Sequence, residues 1–222
     1  MSGYVDASAR LDSPLLTEWY AKDFGETNNR TSLCPEAPPN PAVRPSSDPH
    51  YQFGTVASAW VQNGYSASQD NNVFETRASS YACNGTLIEA AYLAPLHATV
   101  NVSSAFLSED QIVQPAATPL LADAVSHIAL PSTNDLPSTD LVNGLPNPMN
   151  TGGLYAMGSL TIPRHGSRPN PVPTNWPVNR RLPGAINVAC FDGHAETLKL
   201  ERLWQLYWTP DWVTPLKRPG LQ

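Results

Sequence analysis

"INVACFDGHAETLKLERLWQLYW", residues 186–208, is the stretch whose reading decides the fold. A short apolar run meets Asp192-Gly193, His194 follows, the alternation resumes, and a Trp/Leu/Tyr-rich segment closes it. Asp-Gly between two alternating runs suits a tight type I′ turn, because both central residues want positive φ. The stretch therefore reads as a β-hairpin, with His194 and Glu196 pointing outward and Ala195 and Thr197 facing the other way. "ERLWQLYW" then reads as one to two helical turns with Leu203, Trp204 and Tyr207 at inward spacing. The same corner admits a second reading, in which Asp192 and His194 are ligands joined by His165 and by Asp123 or His127. Imidazole and carboxylate are suitable donors for zinc or another divalent ion. None of these histidines has the helical i, i+4 spacing of a metalloprotease.

Upstream, "DSPLLTEWYAKDFG" predicts a helix over residues 12–25, capped by Asp12 or Ser13, with Pro14 in its first turn and Gly25 as its stop. "LCPEAPPNPAVRPSSDPHY" is too rich in proline for a helix or a central strand. Residues 51–60 fit a strand or a short helix equally. Asn84-Gly85 is a strong turn signal. "SSAFLSEDQIV" predicts a short helix, "ATPLLADAVSHIAL" a buried strand ending near Asp123, and "GGLYAMGSLTIPRHG" a further strand. Strands mixed with short helices, without repeated strand–helix units, predict an α+β fold: a short antiparallel sheet with a few short helices and long Pro-rich loops. One domain spanning residues 1–222 is expected.

Composition narrows the function classes. Only 14% of the 222 residues are charged and 23 are proline, whereas six Trp and eight Tyr argue for packing rather than disorder. A net charge of −6 with no basic face gives no footprint for nucleic acid. No apolar run is long enough to span a bilayer, so no membrane contact is expected of this chain. Cys34, Cys83 and Cys190 have no metal-type spacing. Cys190 reads as a buried thiol; Cys34 and Cys83, both beside turn residues, are a possible disulfide pair in an oxidising compartment.

Catalytic motifs are sparse. "MGSLT" and "HGSRP" lack the strand–turn–helix context of a nucleophile elbow, and "NTGGLYAMGS" has no Lys-Ser/Thr sequel for a phosphate loop. A Ser/His/Asp set or a carboxylate pair is defined by geometry that sequence alone does not give. Trp204, Trp208 and Trp212 read as core and as pins for the C-terminal tail, the alternative being a sugar-stacking face that uses Trp176 or Trp208. The sequons at Asn29, Asn84 and Asn101 arise readily in an Asn/Ser/Thr-rich chain.

Taken whole, "RHGSRPNPVPTNWPVNRRLPGAINVACFDGHAETLKLERLWQLYW" (residues 164–208) resembles the C-terminal region of prepilin-like, type II secretion pseudopilin-type proteins of planctomycete and verrucomicrobial bacteria. Their hallmark is a His, nine variable residues and Asp-Gly, usually within Arg-His-Gly and "DGH". Here 26 residues separate His165 from Asp192-Gly193, which implies a 17-residue insertion rich in Pro and Arg. "SLCPEAP", "SSYACNGTL" and "VQPAATPLLADAV" are similar to further segments of that group.

The resemblance implies a periplasmic or cell-envelope, non-enzymatic assembly domain, a pseudopilin-like globular head whose partners are other pilin-like subunits. The family's N-terminal cleavage motif and long anchor helix are not found, so the chain reads as the head alone. It implies no cofactor, and Asp-Gly as a shared hairpin feature, with a hydrogen bond from His165 to the turn or a bound ion as options. The competing reading is a hydrolase or metal-dependent enzyme whose site is built from His165, Asp192 and His194, with Asp123 a fourth candidate.

Overall fold

The computed structural model describes residues 32–39, 51–65, 75–88, 104–144 and 153–221. The helix expected over residues 12–25 lies outside them. Among the described residues the fold is α+β, with short 3-10 segments, long loops and two sheets of mainly antiparallel strands.

A three-stranded sheet comprises β1 (Tyr51–Gln52), β2 (Trp60–Tyr65) and β3 (Glu75–Ser79) in sequential order. Residues 51–60 thus supply two strand ends and the turn between them. The second sheet has β4 (Tyr81–Asn84), β5 (Pro119–Asp123), β6 (Ile128–Ala129), β7 (Ala185–Cys190) and β8 (Ala195–Lys199) in the order β6-β4-β5-β7-β8. Its pairs are antiparallel except β4 with β6. Pro119 is tolerated because it stands first in its strand.

Both faces of this sheet are covered, which is why β4 and β5 carry apolar residues at successive positions. Ala82, Ala122, Ile186, Val188, Cys190 and Leu198 join the larger core with Leu141, Met157, Leu160 and Ile162. Cys83 and Leu121 point to the opposite face and pack with Trp60, Ile88, Ile128 and Tyr155. The 3-10 segment Leu200–Gln205 turns Leu203 and Trp204 back over the larger core, as the spacing predicts. Trp204, Trp208 and Trp212 are all buried there. Their indole N–H groups donate to the backbone oxygens of Asp135, Leu203 and Trp204, respectively. A buried indole without such a partner would lose much of its packing gain to desolvation. Trp208 is therefore not available to a sugar.

The β7–β8 hairpin forms, but its turn differs in type. Gly193 N–H donates to Cys190 O (3.0 Å), Cys190 N–H donates to His194 O (2.9 Å), and Gly193 has φ +90°. That is a three-residue loop, a type I turn closed by a glycine bulge, rather than a two-residue type I′ turn. Facing differs as well. Glu196 lies two residues from the fully buried Leu198 and so shares its inward face, at the rim, while Ala195 and Thr197 are exposed.

Two further expectations are corrected. "GGLYAMGSLTIPRHG" is not a strand: Gly153–Tyr155 and Met157–Leu160 are 3-10 turns, Arg164 N–H turns back to Ile162 O (2.9 Å), and His165 pairs only as an isolated bridge with Ala185. Ser159 Oγ donates to Ala156 O and Thr161 Oγ1 to Gly158 O, so the hydroxyls serve local turns in place of a ladder. In "SSAFLSEDQIV" the helical segment described as such shrinks to Glu109–Gln111. Phe106 is buried and its N–H donates to Thr86 O, which ties the preceding backbone to a distant turn.

Candidate functional site: a buried charge junction

Asp123 ends β5 with no side-chain exposure, and three chain segments converge on it. Its Oδ1 meets Arg164 Nη1 at 3.1 Å. Its Oδ2 accepts the backbone N–H of Asn187 (2.7 Å) and lies 3.2 Å from His165 Nε2. Arg164 is equally buried, and its guanidinium also donates to the backbone oxygens of Ser80, Thr55, Ser58 and Ala124. Burial pushes the Arg164 pKa down, opposed by the Asp123 carboxylate. Such a cation is tolerated inside a protein only where its donors find acceptors, as both terminal nitrogens do here; among the described groups Nε has none.

His165 is placed by backbone pairing. It forms an antiparallel bridge with Ala185, His165 N–H donating to Ala185 O (2.9 Å) and Ala185 N–H to His165 O (2.8 Å). Asn187, the polar residue inside the apolar β7, brings Nδ2 to 3.0 Å from His165 Nε2, while Thr197 Oγ1 donates to Asn187 Oδ1 (2.8 Å). Cys34 arrives from the N-terminal side, with Sγ 3.5 Å from the same Nε2. Its segment is laid down by the serines at the junction of β3 and β4: Cys34 N–H donates to Ser80 Oγ, Ser80 Oγ to Ala37 O, and Ser79 Oγ to Ser32 O. Burial raises the Cys34 thiol pKa, and the Asp123 charge adds to the rise. The same two causes raise the neighbouring Tyr81 phenol to about 12.

The candidates named from sequence fall in separate places. Asp123 and His165 are together. Asp192 and His194 pair with each other at the hairpin tip, Oδ1 to Nδ1 at 2.6 Å, both solvent-exposed. The hydrogen bond from His194 holds the Asp192 carboxyl below its ordinary pKa. Asp192 lies five positions beyond Asn187, which sits beside Asp123, and at the rise of a strand that is about 16 Å, so the four do not form one site and His165 does not brace the turn. His127 lies in the smaller core, edge-on to Trp60 (5.8 Å) and Tyr155 (5.6 Å). Burial, with Arg77 nearby, lowers its pKa to about 3, so it is neutral. Nor do Cys34 and Cys83 pair. Both are free thiols, Cys34 at the junction and Cys83 among the apolar side chains of the smaller core.

Sequence reasoning missed Arg164 and Asn187 and gave Cys34 a different part. A faint signal existed for each: an Arg abutting the singled-out His165, and one amide within "INVAC". Chemically, the arrangement is not a nucleophile–base–orienter relay. That relay needs the thiol and the carboxylate on opposite imidazole nitrogens, whereas Cys34 Sγ and Asp123 Oδ2 both approach Nε2. Three ligand types instead converge on one point, with Cys34, Asp123 and His165 donor atoms all within 4.8 Å of one another.

Fold and site together define a loop-rich α+β protein organised around a buried charge junction. Comparison with protein-family models, curated proteins and solved structures gives no match. No helix among the described residues is long and apolar enough to cross a membrane.

Proposed function

We propose that this chain is the globular head of a pilin-like or type II secretion pseudopilin-type protein of the bacterial cell envelope. Its work in that reading is assembly with other pilin-like subunits rather than catalysis. The observation that carries the reading is the geometry of the segment between His165 and Ala185. These two residues are antiparallel bridge partners, so residues 166–184 leave and return at one point. The excursion opens with Gly166 (φ +70°) and closes with Gly184 (φ +75°), and the Gly184 carbonyl carbon lies 3.7 Å from where a Cβ on Gly166 would sit. Removing residues 167–183 would join two positive-φ glycines into a two-residue hairpin turn, the conformation a type I′ turn asks for. That excision is 17 residues long and leaves nine between His165 and Asp192. The long spacing is thus interconvertible with the short His/Asp-Gly spacing of the family the sequence resembles. In this reading Arg164, His165 and Gly166 lock the fold, and Asp192-Gly193 turns the hairpin.

The test is photocrosslinking in the host envelope from the exposed positions Val213 and Leu216. Adducts with pilin-like subunits, identified by mass spectrometry, are expected. A chain recovered from the cytosol with no such adduct refutes the proposal.

A further inference from the structure

We infer that Cys34, Asp123 and His165 form a binding site for a thiophilic divalent cation of the zinc type, with a fourth position left for water. This inference is independent of the pilin-like reading. The three residues come from three separate segments, yet they present one sulfur, one carboxylate oxygen and one imidazole nitrogen to a common point. A tetrahedral zinc centre has metal–sulfur bonds of ~2.3 Å and metal–nitrogen and metal–oxygen bonds of ~2.0–2.2 Å, which makes its S···N edge about 3.5 Å and its N···O edge about 3.3 Å. Here Cys34 Sγ to His165 Nε2 is 3.5 Å and His165 Nε2 to Asp123 Oδ2 is 3.2 Å. Two edges of the tetrahedron are already drawn.

The surroundings suit the role. Arg164 on Oδ1 and the Asn187 N–H on Oδ2 fix the carboxylate as outer-shell partners do in metal centres. The cysteine and the aspartate are buried, whereas the His165 side chain is 20% exposed and opens the entry path. One thiolate, one imidazole and one carboxylate select a borderline-soft ion over magnesium or calcium, which take oxygen donors. On binding, the Cys34 S–H bond breaks, its proton passes to solvent and a sulfur–metal bond forms. The ion replaces Asn187 Nδ2 on His165 Nε2. The result ties the segment at residues 32–39 to β5 and to the start of β7.

The experiment is titration of the reduced, chelator-stripped full chain with Co²⁺, followed by Zn²⁺. One equivalent of cobalt is expected, with thiolate-to-cobalt charge transfer in the near ultraviolet and the visible bands of a tetrahedral ion. Zinc should displace it, and the same chain titrated with zinc from the stripped state should release about one proton per ion. Cys34→Ser and His165→Gln should each weaken binding beyond the roughly 10–100-fold typical of losing an outer-shell partner. The exposed pair tested as Asp192→Asn and His194→Ala should leave binding unchanged. Wild-type chain that binds no stoichiometric cobalt, or binds it without the thiolate band, overturns the inference whether or not the variants fold. So does a band that persists in Cys34→Ser with native near-ultraviolet circular dichroism.

Discussion

Replacing Arg164 with Met is the sharpest test of the junction, because the structure shows which groups lose a partner. Five acceptors meet the guanidinium: Asp123 Oδ1 and the backbone oxygens of Ser80, Thr55, Ser58 and Ala124. They are not equally dependent on it. Ser80 O keeps the Ala124 N–H (3.0 Å) and Ser58 O keeps the Thr55 N–H (2.9 Å). Thr55 O retains only a long contact from Ser58 N–H (3.4 Å). Ala124 O is left with Arg164 as its sole partner among the described groups. Breaking a buried ion pair from one side costs about 3–5 kcal/mol, and an orphaned buried carbonyl adds roughly 1–3 kcal/mol. Arg164→Met should therefore cost about 4–8 kcal/mol, against a total of ~5–15 kcal/mol for a typical folded protein. With a urea slope of about 2 kcal/mol/M, the midpoint should fall by about 2–4 M. Adding Asp123→Asn removes the stranded charge while keeping an acceptor for the Asn187 N–H, so the double variant should be more stable than Arg164→Met alone. Urea unfolding of wild type, both single variants and the double variant reads the coupling directly. A loss below about 1 kcal/mol for Arg164→Met, or a double variant no better than it, would refute the account of Arg164 as the strut of the junction.

Two further outcomes follow from the same geometry. His127 has a folded pKa near 3 against an ordinary value of 6.5, so the unfolded chain binds the extra proton between those limits. Its contribution is present above pH 6.5 and drains away as pH falls, by about 2 kcal/mol at pH 5. His127→Gln should flatten that limb of the urea-derived stability profile, and an unchanged slope from pH 6.5 to 5 would contradict it. The left-handed glycines should separate by their surroundings. A Cβ on Gly193 meets nothing within 4 Å, whereas one on Gly184 falls 2.5 Å from Pro163 Cβ. In thermal melts, Gly193→Ala should cost about 1–2 kcal/mol of conformational strain, and Gly184→Ala markedly more, because clash is added to strain.

What the sequence determined by itself was local. Alternating apolar positions around Asp192-Gly193 specified the β7–β8 hairpin, Pro119 and the apolar run after it specified β5, and the spacing of Leu203 and Trp204 gave the short helical segment that returns to the core. Buried Cys190 and the three core tryptophans were legible for the same reason, since period and residue type report burial within a few residues. Details set by hydrogen bonding, such as the bulged turn at Gly193 and the 3-10 turns at Met157–Leu160, were not. The junction was decided by tertiary structure alone. Cys34 lies 131 residues from His165, and Arg164 lies 41 from Asp123. No periodicity spans such separations. An arginine in a sequence reads as solvated because burying its charge is costly, and only the folded chain, by turning four backbone oxygens and one carboxylate toward it, makes the interior the better place.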